Sequence, residues 1–218
     1  MNIGLSKQYA LTKRVTRLTE NGFQAKVKGE IRRKGVPMDH ADIDLSLIVA
    51  MTPERVIGLK GRLPWRMPSD LARFKKITTE IGVVVMGRKT FDSILARNGK
   101  PLSGRQHVVL TTNPALFTSH QGQVWYATSL EEVLATIGVL GGRACVIGGA
   151  EIYEMFISAG LVRKVYRTIV HAQGLAGDAF FPQFVREANK WRLADGVLRS
   201  RQHEKDEYES SFWTYEWM

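Results

Sequence analysis

The sequence predicts an α/β fold with a single mixed, mostly parallel central sheet, helices on its faces and an antiparallel hairpin at the C-terminus. Short, fully apolar runs at 83–86 and 144–147 have the pattern of buried parallel strands. Helix-compatible segments alternate with these runs, which is typical of βαβ units. Two longer alternating stretches, 191–199 and 208–216, then close the chain as the hairpin.

Periodicity and helix start signals predict the remaining elements. The strand at 43–51 alternates and then becomes fully apolar, and a loop at 52–64 follows it. Ser129 and Glu132 form a capping box for a helix of about eight residues. The other predicted strands are 106–110, 124–126 and 162–170, and the other predicted helices are 69–79, 89–96 and 151–157.

Residues 1–40 differ from the rest of the chain in charge. They carry nine Lys/Arg against three Asp/Glu, whereas the other 178 residues carry 22 against 18. Asn21-Gly22 is a strong turn signal inside 13–31, where apolar and polar residues alternate. We therefore expect a basic extension at 1–40 with a β-hairpin at 13–31 and a linker, followed by one domain at 41–218.

Composition excludes several classes of protein. No stretch has the roughly 20 apolar residues of a membrane span, and the N-terminus lacks a signal-peptide run, so we expect a soluble, cytoplasmic protein. The single cysteine, Cys145, excludes an intrachain disulfide, and the five histidines show no ligand spacing, so no metal is expected. The G-x-S-x-G motif of serine hydrolases does not occur.

The stretch 63–75 carries the strongest local signal for a ligand site. A proline-rich loop leads to Asp70 in the first turn of a helix, where a carboxylate faces the positive end of the helix dipole. Its neighbours Trp65, Leu71 and Phe74 are apolar. A carboxylate among apolar side chains is costly to ionise, and such sites are often functional. The same residues also fit a helix with a favourable start, so both interpretations stand at this point.

Two strand-to-helix junctions have the composition of an anion site. In segment 86–90 a glycine is followed by two cations and a threonine, and in segment 147–153 two glycines precede the helix. Backbone N–H groups at helix starts bind phosphate, and two such starts at neighbouring strand ends suit a pyrophosphate. Neither segment has the G-x-G-x-x-G or Walker spacing, and glycines also simply end strands. Together, however, the two junctions indicate a dinucleotide.

From about 43 to 218 the chain resembles the chromosomal-type dihydrofolate reductases, on eight motifs in that family's order and spacing. The motifs are Leu47-Ile48-Val49-Ala50, Val56-Ile57-Gly58, Leu63-Pro64-Trp65, Pro68-Ser69-Asp70-Leu71, Met86-Gly87-Arg88-Lys89-Thr90, Pro101-Leu102-Ser103-Gly104-Arg105, Val146-Ile147-Gly148-Gly149-Ala150-Glu151-Ile152-Tyr153 and Gly177-Asp178-Ala179-Phe180-Phe181-Pro182. The resemblance implies the family's fold, NADPH as cofactor, and reduction of 7,8-dihydrofolate to tetrahydrofolate for one-carbon metabolism. It also implies binding of antifolate inhibitors.

The resemblance implies a substrate site around Asp70. This carboxylate would accept hydrogen bonds from the pterin's amino group and ring nitrogen, with Thr168 as its hydroxyl partner and Trp65 ordering a water. Hydride would pass from NADPH to C6, and a water rather than Asp70 itself would protonate N5. Arg105 would bind the α-carboxylate of the glutamate tail, a role that suits a guanidinium. The apolar residues lining the cleft would be Ile48, Leu71, Phe74, Ile94 and Ile147.

The resemblance likewise implies an NADPH site. Ala50 and Ile57 would flank the nicotinamide, and the loop 52–64 would close over it. Gly148 and Gly149 would be joined by a cis peptide. Some relatives carry a basic residue where this chain has Glu151, so the 2′-phosphate would depend on other cations. The phosphate and adenosine contacts would come from Arg88, Lys89, Thr90 and Thr112, and the rest of the set would be Gly87, Ala150, Glu151, Ile152 and Tyr153.

Alternatives to this interpretation are an enzyme of the same fold and an added role for the extension. The related pyrimidine reductase of riboflavin synthesis uses the same cofactor, but Pro64-Trp65, Asp70 and Arg105 argue against it. The basic extension could bind nucleic acid, dock on the reductase or mediate self-association. It fits a mitochondrial presequence less well, because acids and the Asn21-Gly22 turn favour a hairpin. We expect a monomer that binds neither a metal nor a membrane, and a dimer is the alternative oligomeric state.

Overall fold

The strands and helices of the computed structural model follow the apolar runs of the sequence. The model describes residues 43–113, 122–183, 190–200 and 204–218. The strands are β1 (Asp44–Met51), β2 (Val56–Gly58), β3 (Val83–Gly87), β4 (Gln106–Leu110), β5 (Val124–Ala127), β6 (Arg143–Gly148), β7 (Lys164–Val170), β8 (Ala179–Phe180), β9 (Trp191–Ser200) and β10 (Ser210–Trp217). The helices are α1 (Pro68–Ile81), α2 (Arg88–Asn98), α3 (Leu130–Val139) and α4 (Ala150–Ser158).

Eight of the strands form one sheet in the order β5-β4-β3-β6-β1-β7-β10-β9. The first six are parallel to their neighbours, and β10 runs antiparallel to both β7 and β9. The predicted α/β class, with a mostly parallel sheet and an antiparallel C-terminal hairpin, is confirmed. This order sets β1, β3, β6 and β7 side by side, so that their carboxyl ends meet at one edge.

The apolar runs are apolar at every position because the sheet is covered on both faces. In β3, Val83 and Val85 belong to one hydrophobic cluster, and Val84 and Met86 to the other. The first cluster includes side chains of α3 and α4, and the second includes side chains of α1 and α2. Helices therefore flank the sheet on two sides, two on each.

Helix ends follow local signals with one difference. Ser129 accepts a hydrogen bond from the Glu132 N–H at 3.3 Å, as the capping box predicts. The Glu132 carboxylate, however, accepts from the Thr128 N–H at 2.8 Å rather than from Ser129. Gly82, at φ +87°, ends α1 in the left-handed conformation, which glycine adopts without steric cost. The helices are two to three residues longer than predicted.

The predicted loop 52–64 contains a strand that the sequence pattern did not indicate. Within it, β2 pairs antiparallel with β8 as a separate two-stranded sheet. Strands of three and two residues are too short for periodicity to show. The two segments approach closely, because a Cβ on Gly177 would lie only 2.4 Å from Cγ1 of Val56.

The predicted extension at 1–40, including the hairpin at 13–31, lies outside the described residues. The domain boundary at 41 is therefore untested. Among the residues described, no helix combines the length and hydropathy needed to cross a membrane.

Candidate active site

Asp70 and Thr168 meet at the carboxyl edge of the sheet. Asp70 lies in the first turn of α1, and its side chain is buried with 9% of the residue exposed. The Thr168 hydroxyl donates to Oδ1 of Asp70 at 2.7 Å. Thr168 lies in β7, where it pairs with Ala50 of β1. Strand register thus places the predicted substrate residue Thr168 beside the predicted cofactor residue Ala50, and the hydrogen bond to Asp70 adds a second predicted substrate residue.

The surroundings of Asp70 favour its protonated form. Burial raises the pKa of Asp70, and the nearby Asp206 raises this pKa further. The Thr168 hydrogen bond and the charge of Arg73 lower the pKa of Asp70, but burial dominates. A carboxyl group that keeps its proton above the usual pH range is a common feature of functional sites.

Trp65, the third residue predicted for this site, is also buried. Its side chain packs in a small cluster with Val56, Met67, Val170 and Ala172. The indole Nε1 is buried and finds no hydrogen-bond partner within the described part of the chain. Because buried N–H groups are nearly always paired, this atom indicates a place for a water or a ligand.

The two glycine junctions lie next to each other. Met86 pairs with Gly148 across β3 and β6, so the starts of α2 and α4 are neighbours. A Cβ on Gly87 would lie 3.0 Å from the Ile152 side chain, and one on Gly148 would lie 2.9 Å from the Tyr153 ring. The peptide bond between Gly148 and Gly149 is cis, as the resemblance implied.

Both helix starts leave backbone N–H groups for a ligand. The N-cap residues are glycines, Gly87 for α2 and Gly149 for α4, so neither N-cap has a side chain that could accept a bond from the helix N–H groups. The first N–H groups of a helix have no partner inside it, and they favour a phosphate. The cradle of glycines and free N–H groups therefore fits the pyrophosphate of a dinucleotide.

Arg105 is fixed at the other end of α1. It is 6% exposed, and its Nη1 donates to Thr78 Oγ1 at 2.9 Å while its Nε donates to the Ser103 carbonyl at 3.0 Å. Burial lowers the pKa of Arg105, which still leaves a guanidinium. Asp70 and Thr78 are about 12 Å apart along the helix axis. One helix thus separates a buried carboxyl group from a buried cation.

Comparisons with known proteins agree with this geometry. The family model for dihydrofolate reductase matches residues 44–217. The chain belongs to the dihydrofolate reductase family. The dihydrofolate reductase of Bacillus subtilis (strain 168) is 38% identical over 174 residues, which cover 79% of this chain and 94% of that protein. The dihydrofolate reductase of Staphylococcus aureus is 37% identical over 153 residues, covering 70% of this chain and 86% of the relative.

A solved structure supports the same family. The dihydrofolate reductase from Enterococcus faecalis, complexed with NADP(H) and RAB-propyl, aligns with a TM-score of 0.65 and 31% sequence identity. The alignment covers 80% of this chain and 96% of that chain. The predicted membership of the dihydrofolate reductases is confirmed, and these comparisons do not support the alternative of a pyrimidine reductase.

Four of the five apolar residues predicted to line the substrate cleft of this dihydrofolate reductase family member lie in or against one hydrophobic cluster. Ile48 and Ile147 belong to the cluster against which Phe74 and Ile94 pack. Leu71 is half-buried on α1 and is not among the members of that cluster. These roles stay predictions, since no ligand contact tests them.

The predicted cofactor residues fall into exposed and buried groups. Lys89, Thr112 and Glu151 are exposed, and Arg88 forms an ion pair with Asp92 at 2.8 Å. Tyr153 is buried, and its hydroxyl donates to the Ile48 carbonyl at 2.8 Å. The Tyr153 hydroxyl therefore already ties α4 to β1. The half-buried members are Ala50, Ile57, Gly87, Arg88, Thr90, Gly149 and Ala150, and the buried ones besides Tyr153 are Gly148 and Ile152.

The loop 52–64 is held against the chain around β8. Asp178 Oδ2 accepts from the Lys60 N–H at 2.8 Å, and the Asp178 N–H donates to the Gly58 carbonyl at 3.0 Å. The Phe181 N–H donates to the Arg55 carbonyl at 2.8 Å. Asp178 lay in a motif of the resemblance, but nothing in its local sequence indicated this contact.

Sequence reasoning also missed the groups that surround Asp70. Arg73 follows Asp70 by three positions, a spacing that could have been used because such residues are neighbours on a helix. Asp206 is far away in the sequence, and no local pattern connects it to Asp70. Within the described residues, no group of three or more candidate metal ligands occurs.

Proposed function

We propose that Asp70, Thr168 and Trp65 bind and polarise the pterin ring in the family's reaction, the NADPH-dependent reduction of 7,8-dihydrofolate to tetrahydrofolate. The observation that carries this proposal is the buried Asp70–Thr168 pair beside two helix starts with free N–H groups. A carboxyl group can bind an amino group and a ring nitrogen side by side, which fixes the orientation of the pterin.

NADPH supplies the hydride that goes to C6, while a proton is added at N5, so that the C=N bond becomes CH–NH. The chain's own residues would orient the acceptor and hold the water that delivers the proton. Trp65 Nε1 has no partner among the described residues and would hold the water that delivers this proton. Asp70 would bias the charge of the pterin rather than protonate N5 itself.

The cofactor would lie across the starts of α2 and α4. Gly87, Gly148 and Gly149 leave room for the pyrophosphate, and the helix N–H groups would bind it. Arg88 and Lys89 would neutralise the phosphates, and Arg88 would then share its charge between Asp92 and the ligand. The other contacts would be Ala50 and Ile57 at the nicotinamide, Thr90 and Thr112 near the adenosine, and the first turn of α4, which carries Ala150, Glu151, Ile152 and Tyr153.

Arg105 would bind the glutamate tail of the substrate. Two of its nitrogens are already bonded to Thr78 and Ser103, which fixes the plane of the guanidinium. A fixed guanidinium binds a carboxylate with well-defined geometry. The apolar side chains between Asp70 and Arg105 would contact the rest of the substrate, and antifolate inhibitors would occupy the same cleft.

The decisive experiment is Asp70→Asn. The amide keeps the size of the side chain but cannot hold the negative charge, so turnover at neutral pH should fall on the order of 100-fold or more. NADPH binding, followed by the cofactor's fluorescence, should be retained, because the glycine junctions are untouched. Dihydrofolate-dependent oxidation of NADPH measures the loss, with NADH as the comparison for cofactor preference.

Asp44→Asn is the matched control. Asp44 is an exposed carboxylate at the amino end of β1, where it pairs with Arg143. This control should leave turnover and NADPH binding unchanged. Unchanged turnover in Asp70→Asn would contradict the assignment of Asp70 as the pterin-binding group.

A further inference from the structure

A loop from the far end of the chain holds the start of the helix that carries Asp70. The N-cap residue of α1, Met67, makes no side-chain capping bond. Instead, Oδ1 of Asp206 accepts from the Ser69 N–H at 3.0 Å, across 137 positions of sequence. A carboxylate at this place satisfies a free helix N–H and faces the positive end of the helix dipole.

The neighbouring acid in this loop has a different environment. Oε2 of Glu207 accepts from the Arg66 N–H at 2.7 Å, and the Glu207 N–H donates to the Arg66 carbonyl at 3.0 Å. Glu207 is exposed, whereas Asp206 is buried with 3% of the residue exposed. The two acids therefore bind backbone groups three positions apart, but only Asp206 is shielded from water.

The second carboxylate oxygen of Asp206 is also shielded from water. Oδ2 is buried and has no hydrogen-bond partner among the described residues. The hydroxyls of Ser69 and Ser210 are likewise buried without a partner in that part of the chain. A charge in such a place is weakly screened, so it acts on other groups nearby more strongly than a surface charge does.

A cation lies on the other side of Asp70. Arg73 follows it by one helical turn, and its guanidinium lies 4.8 Å from the ring centroid of Phe212 and 5.8 Å from that of Tyr166. Its Nη2 donates to Thr214 Oγ1 at 3.4 Å, a long hydrogen bond, and its Nη1 is buried with no partner among the residues described. The rings hold the guanidinium in place, and among the described residues Arg73 forms no ion pair within 4.0 Å, although the charges of Asp70 and Asp195 act on it.

We propose that Asp206 is a positioning residue that caps α1 and, acting against the opposite charge of Arg73, sets how readily Asp70 gives up its proton. The proposal extends the pterin-binding role of Asp70 and rests on it only for its effect on catalysis. It gives the C-terminal loop a part in the chemistry that is separate from holding the helix.

The groups that face Asp70 from each neighbouring element support this assignment. On α1 the facing charge is Arg73, in the C-terminal loop it is Asp206, and on β7 the partner is the uncharged Thr168. The phenol of Tyr153 on α4 stays neutral, because burial raises its pKa. Burial likewise raises the pKa of Tyr166 on β7. Within the described residues, Arg73 and Asp206 therefore act on the pKa of Asp70 in opposite directions.

The variant that separates charge from capping is Asp206→Asn. The amide oxygen can still accept from the Ser69 N–H, but the negative charge is gone. Asp70 should then lose its proton at a pH lower by roughly half a unit or more, a several-fold change in the protonated fraction. Carbon NMR of the Asp70 carboxyl group in the full, ligand-free chain measures this midpoint, and hydrogen exchange of the Ser69 amide reports whether the cap persists.

Arg73→Met supplies a second, independent variant with the opposite expectation. The methionine keeps an apolar stem against Phe212 but removes the positive charge, so the Asp70 midpoint should move to higher pH. Arg73→Lys, which retains a cation, should return the midpoint toward that of the unaltered protein. Glu207→Gln is the matched control for Asp206, since it removes an exposed acid of the same loop and should leave the midpoint unchanged.

The outcomes separate this proposal from the proposed function. An Asp206→Asn protein with a protected Ser69 amide and an unchanged Asp70 midpoint would overturn the charge role. Equal shifts in Asp206→Asn and Glu207→Gln would also overturn it, because the effect would not depend on the buried site. If the NMR midpoint moves as expected while the pH profile of hydride transfer stays in place, the proposal holds and the catalytic role of Asp70 fails.

Discussion

The position of Asp70 in its helix favours ionisation of the carboxyl group, whereas its buried environment opposes it. The helix dipole and Thr168 favour its charged form, yet burial outweighs them and raises its pKa. The local sequence indicated both features, because an acid in a first helical turn and three apolar neighbours are visible in one short stretch. Thr168 and Arg105 could be assigned only through the resemblance, since their contacts join segments that are distant in sequence.

The raised pKa of Asp70 predicts a pH-dependent cost in stability. The folded protein binds the proton more tightly than the unfolded chain does, so this group contributes stability at pH values below its unfolded pKa. That contribution is lost as the pH rises through the folded pKa. Replacing Asp70 with Asn removes the ionisation, so Asp70→Asn should be more stable than the unaltered protein at pH 8, and the difference should diminish toward pH 4.

Urea unfolding at a series of pH values checks this expectation. The Asp44→Asn control should follow the unaltered protein throughout. If the free energy of unfolding at pH 8 is lower for Asp70→Asn than for the unaltered protein, the ionised carboxylate stabilises the fold. Burial would then not be the dominant effect at this site.

At the scale of elements, the sequence pattern predicted the strands and helices that form the core. It missed the two short strands that form only because two distant loops lie against each other. The buried strands β1, β3 and β6 were predictable because helices cover both faces of the sheet, which leaves only apolar positions. β2 and β8 were not, because their pairing depends on contact between two loops rather than on periodicity. The capping of α1 by Asp206 was also not predictable, because Asp206 lies 137 positions beyond Ser69 in the sequence.

The contact between β2 and the segment before β8 predicts a position where a methyl group is not tolerated. Gly177→Ala would place a Cβ 2.4 Å from the Val56 side chain, so the two segments must separate. This would displace the loop 52–64, which the resemblance to the family implies closes over the nicotinamide. We expect weaker NADPH binding and hydride transfer slower by about tenfold or more, as is typical when a closing loop is displaced.

Rescue by a second substitution tests the cause. Val56→Ala removes the methyl groups that the new Cβ would meet, so the double variant should recover much of the lost hydride-transfer rate in single-turnover measurements. If Val56→Ala worsens the defect instead, steric separation of β2 from the segment before β8 is not the reason for it.

At the scale of the whole molecule, the described fold and the family match cover the same part of the chain. The match spans residues 44–217, while residues 1–40 hold more than half of the excess positive charge. The catalytic domain could be predicted closely because its motifs are dense. The extension could not be assigned a function, since charge alone favours polyanions in general without selecting one.

Removing the extension separates these two parts. A shortened protein that begins at Asp39 should keep the turnover number and NADPH affinity of the full chain within about twofold, because the site residues all lie beyond it. Retention of the full chain on immobilised DNA or RNA at increasing salt tests the nucleic-acid alternative. Sedimentation of the two proteins tests self-association, and a loss of turnover in the shortened protein would show that the extension supports the reductase.

The capping of α1 by Asp206 has a consequence for synthesis of the protein. Domains begin to fold from the N-terminus as the chain emerges from the ribosome. Asp206 lies 137 positions after Ser69, so α1 leaves the ribosome well before the loop that caps it and at first lacks this carboxylate. On our proposal, the nascent chain acquires the pH response of Asp70 only after Asp206 has emerged and docked on α1.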